Sequence, residues 1–157
     1  MRYGLVSAGV VILALVVAIP LYLSYQFSVV ESEMEIFDGE MYWGTNGEGR
    51  WEVHFPTQST NWTIEIDIMS PEDSFDFVVA YGLFSWDEYQ NRSEDHHSVI
   101  YLEKINVSEI TETISMDLRP HQTGIRILRR SHEGGLTLIG HIVVRCFAPR
   151  WARWDPQ

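Results

Sequence analysis

Between residues 3 and 30 the chain carries no charged side chain, and residues 4–23 are apolar apart from Ser7. Twenty such residues in a helix rise about 1.5 Å each and reach roughly 30 Å, the thickness of a bilayer's hydrocarbon core. The stretch therefore predicts an N-terminal transmembrane anchor over residues 1–30, and whatever follows must fold beside it. Tyr3 stands at one boundary and Tyr22 and Tyr25 at the other, positions where amphipathic rings favour the headgroup region. Arg2 is the positive charge on the short side, while the far side opens with Glu31, Glu33, Glu35, Asp38 and Glu40 and has no basic residue before Arg50. Counting positive charges puts Met1 in the cytoplasm and the C-terminal domain outside the cell membrane, in a single pass.

A cleaved secretory signal is the rival reading, with the same consequence for where the domain resides. Val16 and Ala18 form a poor cleavage site, because Pro20 follows closely and the apolar run continues to Leu23. Pro20 removes one helical hydrogen bond and predicts a kink near the outer end. Gly4 with Ala8, and Ala14 with Ala18, are small-residue pairs four apart that would let a second helix approach.

The remainder, about 125 residues, is the size of one domain with its own core. A formal net charge of -11 argues against nucleic acid as partner, since phosphate binding needs a positive field. Yet Arg119, Arg126, Arg129, Arg130, Arg145, Arg150 and Arg153 all fall in the last quarter of the chain. Acidic front and basic end suggest complementary faces, within the fold or between subunits, beside the plainer reading of solvated arginines on strand faces. Cys146 is the single cysteine, so no intramolecular disulfide forms, and its place in an apolar strand predicts a buried thiol. Asn61-Trp62-Thr63, Asn91-Arg92-Ser93 and Asn106-Val107-Ser108 are glycosylation acceptors, consistent with an exterior glycoprotein.

Residues 31–40 are acidic and read as a stalk or as the lead into a first strand. Beyond them alternation of period two dominates. Trp62, Ile64, Ile66 and Ile68 alternate with Thr63, Glu65 and Asp67, and Phe75, Phe77, Val79 and Tyr81 repeat the pattern. Ile114, Met116 and Leu118 do the same, and residues 136–147 form the last long strand, with Gly140 as a bulge or close contact. Shorter candidates lie at 51–55, 99–102 and 125–128. Asn46-Gly47 is a hairpin signal, and 70–73, 120–124 and 131–135 carry turn chemistry. Ser85 caps one helical turn through Glu88, and 91–98 reads as the longest loop. Seven or eight short strands with no long amphipathic helix after residue 30 predict an all-β fold, an antiparallel β-sandwich or jelly roll over 41–148.

The aromatic strand at 75–81, the Trp86-Asp87-Glu88-Tyr89 turn, a polar loop and paired alternating strands resemble small exterior sandwiches of the GOLD (emp24/p24-like) and pre-peptidase C-terminal type, over residues 41–147. The resemblance implies a sandwich and a binding module, and it assigns no functional residue. The p24 pattern also has a C-terminal span, a coiled coil and a paired cysteine, which this sequence lacks.

His96 and His97, beside Glu94 and Asp95, are the best metal candidates, because imidazole and carboxylate suit zinc or copper. Adjacent residues need a ligand from elsewhere, which His54, His121, His132 or His141 would have to supply; a solvated loop is the plainer reading. Asp73 and Asp76 lack a full calcium-loop pattern. Nucleophile elbow, zinc-protease helix and phosphate loop are all missing, and Glu65 with Asp67 is a spacing common on solvent-facing strands. No catalytic residue, metal or cofactor is expected. The Arg/Trp tail over 149–157, with Arg150, Trp151, Arg153 and Trp154, has the composition of an interface anchor or of a headgroup-level segment. The expectation is a membrane-anchored, non-catalytic accessory subunit or protein-binding module of a cell-surface complex. The alternatives are a metal-handling domain using His96 and His97, and an adhesion or carbohydrate-binding module.

Overall fold

The computed structural model describes residues 2–43, 48–83, 85–91, 98–118, 124–132, 135–152 and 154, with side chains from residue 12 onward except that of Trp43. A helix, α1 (Arg2–Gln26), is followed by β1 (Val29–Trp43), β2 (Glu48–His54), β3 (Thr60–Met69), β4 (Phe75–Tyr81), a single-turn α2 (Trp86–Gln90), β5 (Val99–Val107), β6 (Glu109–Met116), β7 (Gly124–Ser131) and β8 (Leu136–Pro149). Two four-stranded antiparallel sheets result, ordered β1-β8-β3-β6 and β2-β7-β4-β5. The pairs β1–β8, β2–β7, β3–β6 and β4–β5 are those of one long two-stranded ribbon, and the contacts β8–β3 and β7–β4 arise where that ribbon rolls onto itself. This is jelly-roll connectivity, as the strand rhythm predicts.

Period-two patterning decides which face goes inside. Ile64, Ile66 and Ile68 of β3 point between the sheets, where they meet Phe75, Phe77 and Val79 of β4, Ile125 and Ile127 of β7, and Leu138, Ile142 and Val144 of β8. All are buried, so each is held by about 1.5–3 kcal/mol of transfer free energy relative to exposure. A second, smaller cluster lies on the outer side of the β2-β7-β4-β5 sheet. There Leu83 and Trp86 cover Val78, Ala80 and Leu128. Ser85 caps α2 by accepting from the Glu88 N–H at 3.2 Å, and the Trp86 indole donates to the Arg129 carbonyl at 2.8 Å, which fixes this turn on the sheet.

Residues 31–40, expected as a stalk or as the lead into a first strand, lie inside β1. Glu31, Glu33 and Glu35 pair with Phe147, Arg145 and Val143, whereas Asp38 and Glu40 pair with His141 and Ile139. The register shift between Glu35 and Phe37 is a bulge at Ile36 that keeps every one of these acids on the solvent side. Gly140 is the close contact expected of it: its φ is +133°, and a β-carbon there would lie 2.0 Å from the Asp67 carbonyl oxygen.

Of the N-terminal expectation the structure shows the helix, α1. Among the described residues no helix is long and apolar enough to cross a membrane. What is observed is a helix that continues past Pro20 with its apolar side chains, Ile12 to Leu23, exposed.

Candidate interaction surface

Antiparallel pairing of the first and last strands sets Val29 opposite Pro149, so the chain leaves β8 beside the point where α1 enters β1. Between helix and strand lie only Phe27 and Ser28. The Phe27 N–H donates to the Leu23 carbonyl at 2.9 Å. Ser28 gives both its N–H and its hydroxyl to the Tyr25 carbonyl, at 3.2 and 2.6 Å, and so closes the end of the helix.

The tail then clasps this junction. The Arg150 N–H donates to the Ser28 carbonyl at 3.1 Å, its Nε donates to Ser28 Oγ at 3.1 Å, and its Nη1 donates to the Tyr25 hydroxyl at 3.1 Å. Its guanidinium carbon sits 4.5 Å from the centre of the Tyr25 ring. α1 has no basic residue in its own last turn, and Arg150 supplies a cation at that negative dipole end from the other terminus. Trp151 meets Phe27 edge to face, with centroids 6.3 Å apart.

Trp154 differs from Trp151. Its indole donates to Ser32 Oγ at 2.9 Å and its ring lies 5.8 Å from Phe55, which in turn packs against Trp62. It belongs to the margin of the core. Of the four tail residues singled out by composition, Arg150 and Trp151 line the junction, Trp154 is turned into the domain, and Arg153 lies outside the described residues.

The outer face of the β1-β8-β3-β6 sheet is a field of carboxylates with Arg145 at its centre. Arg145 Nε donates to Glu33 at 2.8 Å and Nη1 donates to Glu65, bridging β1 and β3 across β8. The hydrogen bond and charge of Arg145 hold the Glu65 carboxyl below its ordinary value, and the two carboxylates raise that of Arg145. His141 adds a contact to Glu65 at 3.6 Å, and Asp67 accepts from Thr111 Oγ1 at 3.0 Å. Glu65 and Asp67 thus serve as partners of neighbouring side chains.

Asp76 accepts from the Asn106 N–H at 2.9 Å and contacts His132 Nε2 at 2.8 Å; Asp73 accepts from Ser131 Oγ at 2.7 Å. His54 lies 3.4 Å from Glu52. The described histidines are therefore spread over three places, and among the described residues no group of three or more His, Cys, Asp or Glu is placed to hold a metal. His96, His97 and His121 lie outside the described residues, as do the hairpin signal Asn46-Gly47 and the centre of the 120–124 turn. Asn61, Asn91 and Asn106 are exposed; the Asn91 amide donates to the Asp87 carbonyl at 2.9 Å and Asn106 Oδ1 accepts from Ser74 Oγ at 2.7 Å. Cys146 is buried as expected, and burial pushes its thiol up to about 11.

Sequence reasoning missed two features. Arg129 faces inward, 5% exposed, with its guanidinium carbon 3.7 Å from the centre of the Trp51 ring, and burial pushes it down to about 9. Gly49 lies opposite it, and a β-carbon there would come within 2.5 Å of Arg129 Nη2. The second feature is the clasp itself, for which the sequence offered only an aromatic and cationic tail.

No family model matches the chain, and no curated protein does. Solved structures are similar at a distance. A family two carbohydrate esterase from Cellvibrio japonicus is 10% identical with a TM-score of 0.38, over 83% of this chain and 37% of that one. Latent dimeric PorU from Porphyromonas gingivalis is 10% identical with a TM-score of 0.42, over 77% of this chain and 13% of that one. A mutant of CBM29-2, from the family 29 carbohydrate-binding modules, is 12% identical with a TM-score of 0.36, over 74% and 92%. The chain spans well under half the length of the esterase and of PorU. The sandwich implied by the resemblance to GOLD and pre-peptidase domains is present as two four-stranded antiparallel sheets, and no family is assigned.

Proposed function

We propose that this protein is a membrane-anchored exterior β-sandwich that acts as a non-catalytic accessory subunit or protein-binding module. The observation that carries the reading is the exit of α1. A helix with exposed apolar side chains enters a water-stable sandwich through two residues, ringed by Tyr25, Phe27, Arg150 and Trp151. The uncharged sequence 3–11 precedes these exposed side chains and extends the apolar run toward the roughly 30 Å of a hydrocarbon core. Arg2 on one side and the acids of β1 on the other favour a cytoplasmic N-terminus and an external domain.

The partner is a protein whose own helix packs beside α1, where Ala14 and Ala18 allow close approach, or whose exterior surface meets the sandwich. Trp151 is the exposed tail anchor for such a contact, since Trp154 is committed to its own domain.

Flotation of the full chain with lipid vesicles, followed by protease added from outside, tests the placement. The expected result is co-flotation with the sandwich digested; protein left at the bottom of the gradient, or a sandwich protected in intact cells, overturns it. Isolation in mild detergent tests the partner: a protein retained by the wild type and lost from Trp151→Ala supports the tail contact, and retention by both removes it.

A further inference from the structure

Apolar and charged residues are stratified along the axis on which α1 leaves the domain. At the lowest level Phe27 and Val29 are each 60% exposed and Trp151 is 40% exposed, while Phe147, 42% exposed, stands one step higher, opposite Glu31. Register places them together: Val29 pairs with Pro149, Phe147 is two residues back along β8, and Trp151 packs on Phe27. One step up β1 the character reverses. Glu31 stands opposite Phe147, Glu33 opposite Arg145, and Glu35 follows. Two strand residues rise about 6.5 Å, so the change from Val29 to Glu31 occurs within the depth of a headgroup layer.

We infer that this collar is seated in the headgroup layer of the bilayer, so that the domain sits on the lipid surface through Phe27, Val29 and Trp151. The inference rests on the anchor proposed above and adds a second membrane contact, made by the sandwich itself. The occupant follows from position: the collar surrounds the exit of the apolar helix, and its polarity changes with height above that exit. Aromatic rings and an arginine at one level are what the interfacial zone selects, and Arg150, held on Tyr25 and Ser28, stands at the level of the lipid phosphates. The acids above keep the rest of that face in water, which fixes how deep the base sinks.

Quenching of Trp151 by brominated lipid tests the seat, and vesicle flotation tests the anchor separately. Full-length wild type and Trp151→Phe are reconstituted in phosphatidylcholine vesicles brominated either near the top of the acyl chain or near its end. The difference in emission between the two proteins reports Trp151. The expected result is that Trp151 loses most of its emission to shallow bromine and less to deep bromine. Floated protein whose Trp151 is dimmed by neither lipid overturns the seat while leaving the anchor intact, and means that water or a second copy covers the collar. Stronger quenching by deep bromine also overturns it, and protein that does not float overturns both readings.

Discussion

Gly39 of β1 stands directly opposite Gly140 of β8, and both have positive φ, +102° and +133°. The two positions nevertheless differ. A β-carbon at Gly140 would collide with the Asp67 carbonyl of β3, 2.0 Å away, whereas nothing lies within 4 Å of one at Gly39. Gly39→Ala should cost about 1–2 kcal/mol through backbone strain alone. Gly140→Ala should cost more than 3 kcal/mol or prevent folding, because strand separation must also change. Urea unfolding of the two variants compares them directly, and equal losses would mean that β8 is not pressed against β3 as described.

The tail predicts a split between its two described tryptophans. Trp154→Ala removes a ring from the core margin and leaves Ser32 without its donor, for an expected loss of about 2–4 kcal/mol. Trp151→Ala should change stability by less than about 1 kcal/mol in detergent, since its ring is exposed and touches Phe27 at an edge. Thermal melts of both variants read the difference.

Cys146 should behave as an inert thiol in the native protein. With its acidity pushed up to about 11, only about 0.1% is thiolate at pH 8, and the sulfur lies between the sheets. Reaction with a disulfide reagent at pH 8 should proceed only after denaturant is added. Rapid labelling without denaturant would show that β8 opens at its C-terminal end.

The Arg145 bridge gives a pH signature. The Glu65 carboxyl is held below the usual carboxylate range mainly by its hydrogen bond to Arg145, so its contribution to stability is present above that range and lost as pH falls through the lower, folded-state value. The difference in unfolding midpoint between wild type and Glu65→Gln should therefore be constant at pH 6 and above and vanish in acid. Because Glu65 is solvent-screened, added salt should shrink it too.

Much of the sandwich was legible because one face of each strand is apolar. In β3 the alternation is strict from Ile64 to Ile68, and β4 lies where Phe75, Phe77 and Val79 put it, although Val78 and Ala80 bury its other face as well. In β1 the acids occupy odd positions through Glu35 and even ones from Asp38, which reads as broken periodicity until the extra residue at Ile36 is recognised. The signal was present as a change of phase. The clasp between Arg150 and Tyr25 could not be read, since it depends on β1 and β8 being neighbours, a long-range pairing that no local pattern encodes.

That bulge yields a further test. Deleting Ile36 restores one phase along β1 and turns either Glu31, Glu33 and Glu35 or Asp38 and Glu40 toward the apolar interior. Loss of the folded state by circular dichroism is expected from the deletion. Ile36→Ala keeps the residue count and should cost only about 1–3 kcal/mol.

The rolled ribbon has a consequence for biosynthesis. Of the eight strands described, β1 is made before the rest, yet its sheet neighbour, β8, is made after them. Until β8 is made the nascent edge of β1 is bare, and closure waits on contacts between strands far apart in sequence, the kind that form slowly and leave a chain open to aggregation. The glutamates spaced along that strand guard the newborn chain as well as wetting the finished one.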